Sequence, residues 1–296
     1  MEPRSQFIDV DGVKLHVADW GGNGPDILLV HANGFLGWVY RELIQHLQES
    51  RESRESRDSK DTYHVYTLDL RGQGDSDKPA LRESHWQDMA NDVEAVIDAL
   101  HLQDFYGLGH SGGAALLAGY AATHTGRVKS LALLEPVTFP HEPPFLERLS
   151  TTNHPLVEMT LRRREVWDSR QQLFETYQTK AAFSGWQTEV LWDYINHGTV
   201  DLPNGQIQLK CPVKVEAHVF AQAPLVDIYA QLDRVDCPAV VLRGENTDPP
   251  LFLIAEKAAQ KIPQGTLVTV PDTSHFLPME KPDEIARIIT QYFSRR

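Results

Sequence analysis

Cysteine is nearly absent. Cys211 and Cys237 are the only two, each followed by proline, which supplies neither a disulfide framework nor a metal-ligand spacing and points to a reducing compartment. Long apolar runs are missing too, and nothing approaches the roughly 18 residues that suggest a membrane span. Basic residues are in deficit, 28 Lys and Arg against 41 Asp and Glu, for a formal net charge of −13. That balance argues against nucleic acid or an anionic membrane as the main partner and is neutral toward a small-molecule substrate. The opening Met1-Glu2-Pro3-Arg4-Ser5-Gln6 lacks the apolar core of a secretory signal. The closing Ser294-Arg295-Arg296 is not a Ser-Lys-Leu type peroxisomal address. The expectation is a cytoplasmic protein without metal or cofactor.

What is present is ordinary for a globular chain, 41% hydrophobic and 23% charged residues over 296 positions, enough for one large α/β domain or two small ones. Phe7–Val10 and Val13–Val17 alternate around Asp11-Gly12, a hairpin signal. Ile27-Leu28-Leu29-Val30 is continuously apolar, as expected of a parallel strand buried on both faces. A helical stretch follows from Trp38 to Leu47, and then the low-complexity run Glu49–Lys60, expected to be a solvated insertion that weakly extends the helix. Strand and helix then alternate: His64–Leu68, a helix carrying Trp86 to Leu100 on one face, Asp104–Leu108, Ala114–Ala122 and Ser130–Leu134. From 139 to 232 the rhythm turns proline-rich, aromatic and helical, with a basic run Arg162-Arg163-Arg164 expected to face solvent. Sheet rhythm returns at Ala239–Leu242, then a helix over Leu251–Ile262, a strand at Leu267–Val270 and a last helix with Ile285, Ile288, Ile289 and Tyr292. The order implies a mostly parallel sheet with helices on both faces. The expected division is a core of residues 1–138 and 233–296 around a helical insertion, 139–232.

The chain is organised around Gly109-His110-Ser111-Gly112-Gly113, between a short apolar strand and a helix of small residues. A Gly-x-Ser-x-Gly turn in that context is a nucleophile elbow: it projects the serine hydroxyl over the sheet edge, and its glycines allow strand and helix to approach closely. A serine hydroxyl is a weak nucleophile at neutral pH and needs a base and an orienting acid. His275, in Pro271–Pro278 after the last strand, stands where chain reversal brings an imidazole to the same edge. His110 adjoins the serine and is read as packing beneath the turn. The acid has two candidates. Glu135 ends a buried strand, where a carboxylate needs a partner; Asp248 follows Gly244-Glu245-Asn246-Thr247, one place late for Gly-x-x-Asp. Glu135 is preferred and Asp248 is the alternative. Acyl transfer also needs two N–H donors for the oxyanion, one of them Gly112, next after the serine.

With Gly109–Gly113, His31-Ala32-Asn33-Gly34-Phe35, Asp69–Ser76 and the late His275 in order, the whole chain resembles the α/β-hydrolase superfamily, with 139–232 in the place of its cap. Within it, the His31–Phe35 turn, Leu134-Glu135-Pro136-Val137 and the stretch from Asp201–Gly205 to Glu216-Ala217 resemble a little-characterised esterase-like branch. The resemblance implies Phe35 as the second oxyanion donor, with His31, Asn33 and the Asp69–Ser76 turn as scaffold. It implies a cofactor-free serine hydrolase acting on a carboxylic ester, lactone or thioester of a small apolar molecule. The alternatives are C–C bond hydrolysis or a lyase step by the same triad, and a non-catalytic ligand-binding protein. Epoxide hydrolase and dehalogenase chemistry is disfavoured, because those relatives place Asp where Ser111 stands. Substrate, oligomeric state and the cap residues lining a pocket are not specified.

Overall fold

The structure, a computed structural model, describes residues 2–52, 62–142, 155–223 and 226–294. The expected charged insertion after Glu52 lies outside the described residues. The elements that position the site are β1 (Arg4–Val10), β2 (Val13–Asp19), β3 (Asp26–Val30), α1 (Arg41–Glu52), β4 (His64–Leu68), α2 (Trp86–Ala99), β5 (Phe105–His110), α3 (Gly112–Thr123) and β6 (Val128–Leu134). An insertion follows, made of α4 (Pro155–Leu161), β7 (Val166–Trp167), α5 (Arg170–Tyr177), α6 (Thr188–His197), β8 (Thr199–Asp201), β9 (Ile207–Leu209) and α7 (Val213–Gln222). The chain closes with β10 (Ala239–Gly244), α8 (Pro249–Lys261), β11 (Gly265–Val270), α9 (Leu277–Glu280) and α10 (Pro282–Phe293).

The main sheet runs β1-β2-β4-β3-β5-β6-β10-β11. The β1–β2 and β2–β4 pairs are antiparallel, and every pair from β4 to β11 is parallel. Period-2 alternation divides each central strand between two cores. Ile27 and Leu29 join Leu43, Ile44, Leu47, Ile285 and Ile289 of α1 and α10. Leu28 and Val30 join Val93, Val96, Ala114 and Ala258 of α2, α3 and α8. Ile285, Ile289 and Phe293 are at most 1% exposed, each worth about 1.5–3 kcal/mol relative to exposure. α3 has no polar face because it too is buried all round: Gly112 to Ala118 and Tyr120 to Ala122 are all buried.

The insertion is not purely helical, which corrects the sequence-based expectation. Thr199–Asp201, Ile207–Leu209 and Val166–Trp167 form a three-stranded sheet in the order β7-β9-β8, antiparallel throughout. Pro203-Asn204-Gly205 turns the β8–β9 hairpin, with Gly205 at φ +84° and Gln206 paired to Leu202 at 2.8 Å. Strands of two or three residues are too short for period-2 patterning to stand out beside helices. The basic run also departs from expectation. Arg162 is exposed and pairs with Glu158, Arg164 lies over the Trp167 ring, but Arg163 turns inward onto buried Glu216.

Candidate active site

β5 delivers Ser111 to the sheet edge through a strained junction. Ser111 has φ +54° and ψ −114°, a region costing a non-glycine residue about 1–3 kcal/mol. Its N–H donates to the Leu134 carbonyl at 2.8 Å, tying the turn to the end of β6. A Cβ on Gly109 would overlap Ala114 main chain, and one on Gly113 would overlap the Val30 carbonyl. Both glycines are demanded by close approach. Gly112 heads α3, so its N–H is among those with no intrahelical acceptor.

Glu135 follows β6 directly and also has positive φ, +49°. Its N–H bonds the Leu242 carbonyl at 2.8 Å, and the residue is 1% exposed. The Gly244 N–H at 2.6 Å and the Thr247 hydroxyl at 2.5 Å both donate to Oε1. Oε2 is left to His275 Nδ1 at 3.3 Å. A carboxylate only accepts, so the His275 ring proton sits on Nδ1 and Nε2 is the free lone pair. Asp248 stands elsewhere: exposed at the head of α8, with an ordinary φ of −53° and no side-chain cap bond. The loop in which an acid was sought instead supplies two donors to Glu135.

His275 lies in the loop after β11, its ring centroid 5.2 Å from that of His110, the chain neighbour of Ser111. Among the described residues, neither the Ser111 hydroxyl nor His275 Nε2 makes a hydrogen bond. The structure thus brings Ser111, His275 and Glu135 to one edge of the sheet and leaves Asp248 outside the group.

The His31–Phe35 turn is braced from two sides. Gln73 Oε1 accepts from Gly34 N–H at 2.6 Å, and Asn33 Nδ2 donates to the Glu216 carbonyl of α7 at 3.0 Å. Gly34 has φ +87°, and a Cβ there would strike the Glu216 carboxylate. Burial pushes the Glu216 carboxyl up, opposed by Arg163 beside it. Phe35 N–H closes the turn onto the Ala32 carbonyl at 3.2 Å. The Phe35 ring sits among Trp186 and Tyr194 of the insertion and Phe276, at centroid distances of 5.4, 5.3 and 6.0 Å. An aromatic wall therefore borders both the turn and the His275 loop. Thr247, Tyr40 and the bonding role of His110 escaped the sequence reading; the one available signal was a threonine standing where Gly-x-x-Asp has its acid.

His16, Asp69 and Asp75 cluster closely enough to suggest a cation. Asp69 already accepts from His16 Nδ1 and from the Gly37 and Asp75 N–H groups at 2.7–3.0 Å, so most of its acceptor positions are taken by the protein itself. Cys211 and Cys237 are free and buried.

The model of the alpha/beta hydrolase family matches residues 27–288. Among known proteins, the chain is 29% identical over 228 residues to the abhydrolase domain-containing protein AFT2-1 of Alternaria alternata, covering 65% of this chain and 84% of that one. It superposes on E-2-(acetamidomethylene)succinate hydrolase with a TM-score of 0.77 at 19% identity, covering 99% of this chain and 100% of that one. On a thermophilic esterase of Thermogutta terrifontis the TM-score is 0.70 at 21% identity, with 99% and 98% covered. The two structures share the fold.

Proposed function

The chain belongs to the alpha/beta hydrolase family, and from that premise we propose that it is a serine hydrolase cleaving a carboxylic ester, lactone or thioester of a small apolar molecule. The observation that carries the reading is Glu135: buried, held by two donors on Oε1 and offering Oε2 to His275 Nδ1. That arrangement holds the imidazole in the tautomer a general base requires. His275 Nε2 takes the Ser111 proton as Oγ attacks the acyl carbon, then returns it to the departing alcohol or thiol. Water repeats the sequence on the acyl-enzyme and releases the acid. Gly112 N–H stabilises the oxyanion. Phe35 N–H is the second donor, sharing itself between the oxyanion and the Ala32 carbonyl, as a long 3.2 Å bond allows. The aromatic wall around Phe35 supports an apolar acyl group, and the esterase from Thermogutta terrifontis supports the ester class. The insertion serves as the cap.

The test is p-nitrophenyl ester hydrolysis from short to long acyl chains, alongside labelling with a fluorophosphonate. Turnover and labelling are expected of the wild type, and loss of both from Ser111→Ala, about 10³-fold or more in kcat. A wild type that neither turns over an ester nor takes the phosphonate sinks the reading.

A further inference from the structure

A directed chain of hydrogen bonds runs beneath the site, and its polarity can be worked out from either end. Leu70 N–H donates to His31 Nε2 at 3.0 Å, which leaves Nδ1 protonated and donating to the Ala32 carbonyl at 2.7 Å. Ala32 N–H can only donate, and it meets the Tyr40 hydroxyl oxygen at 3.0 Å. The phenol proton is then free for His110 Nδ1, 2.8 Å away. From the other end, the His275 carbonyl can only accept, and His110 Nε2 lies 2.9 Å from it. Nε2 must carry the proton, and Nδ1 must be the acceptor that Tyr40 requires. Both ends assign the same tautomer.

His31, Tyr40 and His110 are at most 1% exposed. Burial lowers both imidazoles and raises the phenol, with the facing His275 and His31 adding to the depression at His110. Each member therefore stays neutral.

We propose that His110 and Tyr40 are positioning residues, which join the Ala32–Phe35 turn to the main chain of His275 through one neutral, directed hydrogen-bond chain. The inference rests on the reading of Ser111 and His275 as the reacting pair. The chain holds the backbone of His275, so its ring is placed by two side-chain torsions alone. It also ties that placement to the turn carrying Phe35, so base and oxyanion donor keep a fixed separation. Filling space would need only an apolar group of similar size. This geometry needs an acceptor at Nδ1 and a donor at Nε2, since without them the buried Tyr40 O–H loses its acceptor and the His275 carbonyl its donor.

The variants are His110→Leu, Tyr40→Phe and His110→Gln, the last keeping an acceptor and a donor. With p-nitrophenyl esters, His110→Leu and Tyr40→Phe are expected to lower kcat by about 100-fold, the scale of a small misplacement of a reacting group, with KM little changed. His110→Gln recovers most of the loss. Unchanged kcat in a folded His110→Leu, or equal losses in the Gln and Leu variants, overturns the proposal. Long-range ¹H–¹⁵N spectra of the wild-type imidazoles test the chain without any activity. His110 is expected as the Nε2–H tautomer from about pH 5.5 to about pH 8.5, either side of the ordinary histidine range. An Nδ1–H or titrating His110 refutes it, even if the Leu variant fails to fold. A wild type inert to esters and phosphonate would instead sink the hydrolase reading, and the spectra would still decide the chain.

Discussion

At Glu135 a glutamate is held at φ +49° with its carboxylate fully enclosed. Backbone strain and carboxylate burial each cost stability, and both occur at one residue whose Oε2 meets an imidazole. Asp248 carries neither cost and meets no imidazole. Glu135→Gln is therefore expected to lower ester turnover by about 10³- to 10⁴-fold, because an amide no longer enforces the base tautomer. Asp248→Asn, an exposed change, should leave it within about twofold. Steady-state kinetics on the two variants decides between the acids. Collapse in Asp248→Asn alone would reverse the assignment.

The elements around Ser111 are held close by missing side chains. β3 and α3 approach so tightly that a methyl group at Gly113 would overlap the Val30 carbonyl, which cannot move without breaking the ladder from β3 to β4 and β5. Gly113→Ala is expected to destabilise by about 3 kcal/mol or more, above the usual overpacking range because main chain is struck. Gly126→Ala is a useful contrast: φ is +74° there but nothing lies within 4 Å of the added carbon, so only the conformational cost of about 1 kcal/mol remains. Urea unfolding midpoints of the two variants measure the difference.

Across the whole molecule the insertion is clasped to the sheet body at more places than the His31–Phe35 turn. Arg41 bonds Asp193 at 2.8 Å, and Trp38 stacks on His197 at 3.5 Å. Burial depresses the His197 imidazole of that stack as it does two histidines of the body, so acid bears on both. His31 and His110 are both depressed in the folded state, His31 despite Asp69 beside it. Their unfolded counterparts take up protons near pH 6.5, so their stabilising contribution is complete above that value and is lost as pH falls toward the folded values. The expected slope is about 1.4 kcal/mol per pH unit for each proton. Urea midpoints of the wild type should drop on acidification below about pH 6.5, and His110→Gln should give a flatter curve. Parallel curves would show that His110 takes up no proton on unfolding in that window.

The alternation of apolar strands and amphipathic helices was readable along the chain because each period matches one local geometry, and the sheet places those segments in the expected layers. Gly109–Gly113 and the loop of His275 were readable for a similar reason: a tight strand–helix junction and a post-strand loop have local signatures. The β7-β9-β8 sheet in the insertion was not, since strands that short carry too few periods. The turning of Arg163 onto Glu216 was not either, because a partner 53 residues away leaves no trace in a run of three arginines. Glu135 and Asp248 were both plausible acids in one dimension. Only the folded chain brings Gly244 and Thr247 to one carboxylate oxygen and His275 to the other, because parallel neighbours β6 and β10 end side by side. Local patterning determined which elements form and where the tight turn at Ser111 stands. Which charges and hydrogen bonds meet was decided by strand order, which joins residues more than 100 positions apart.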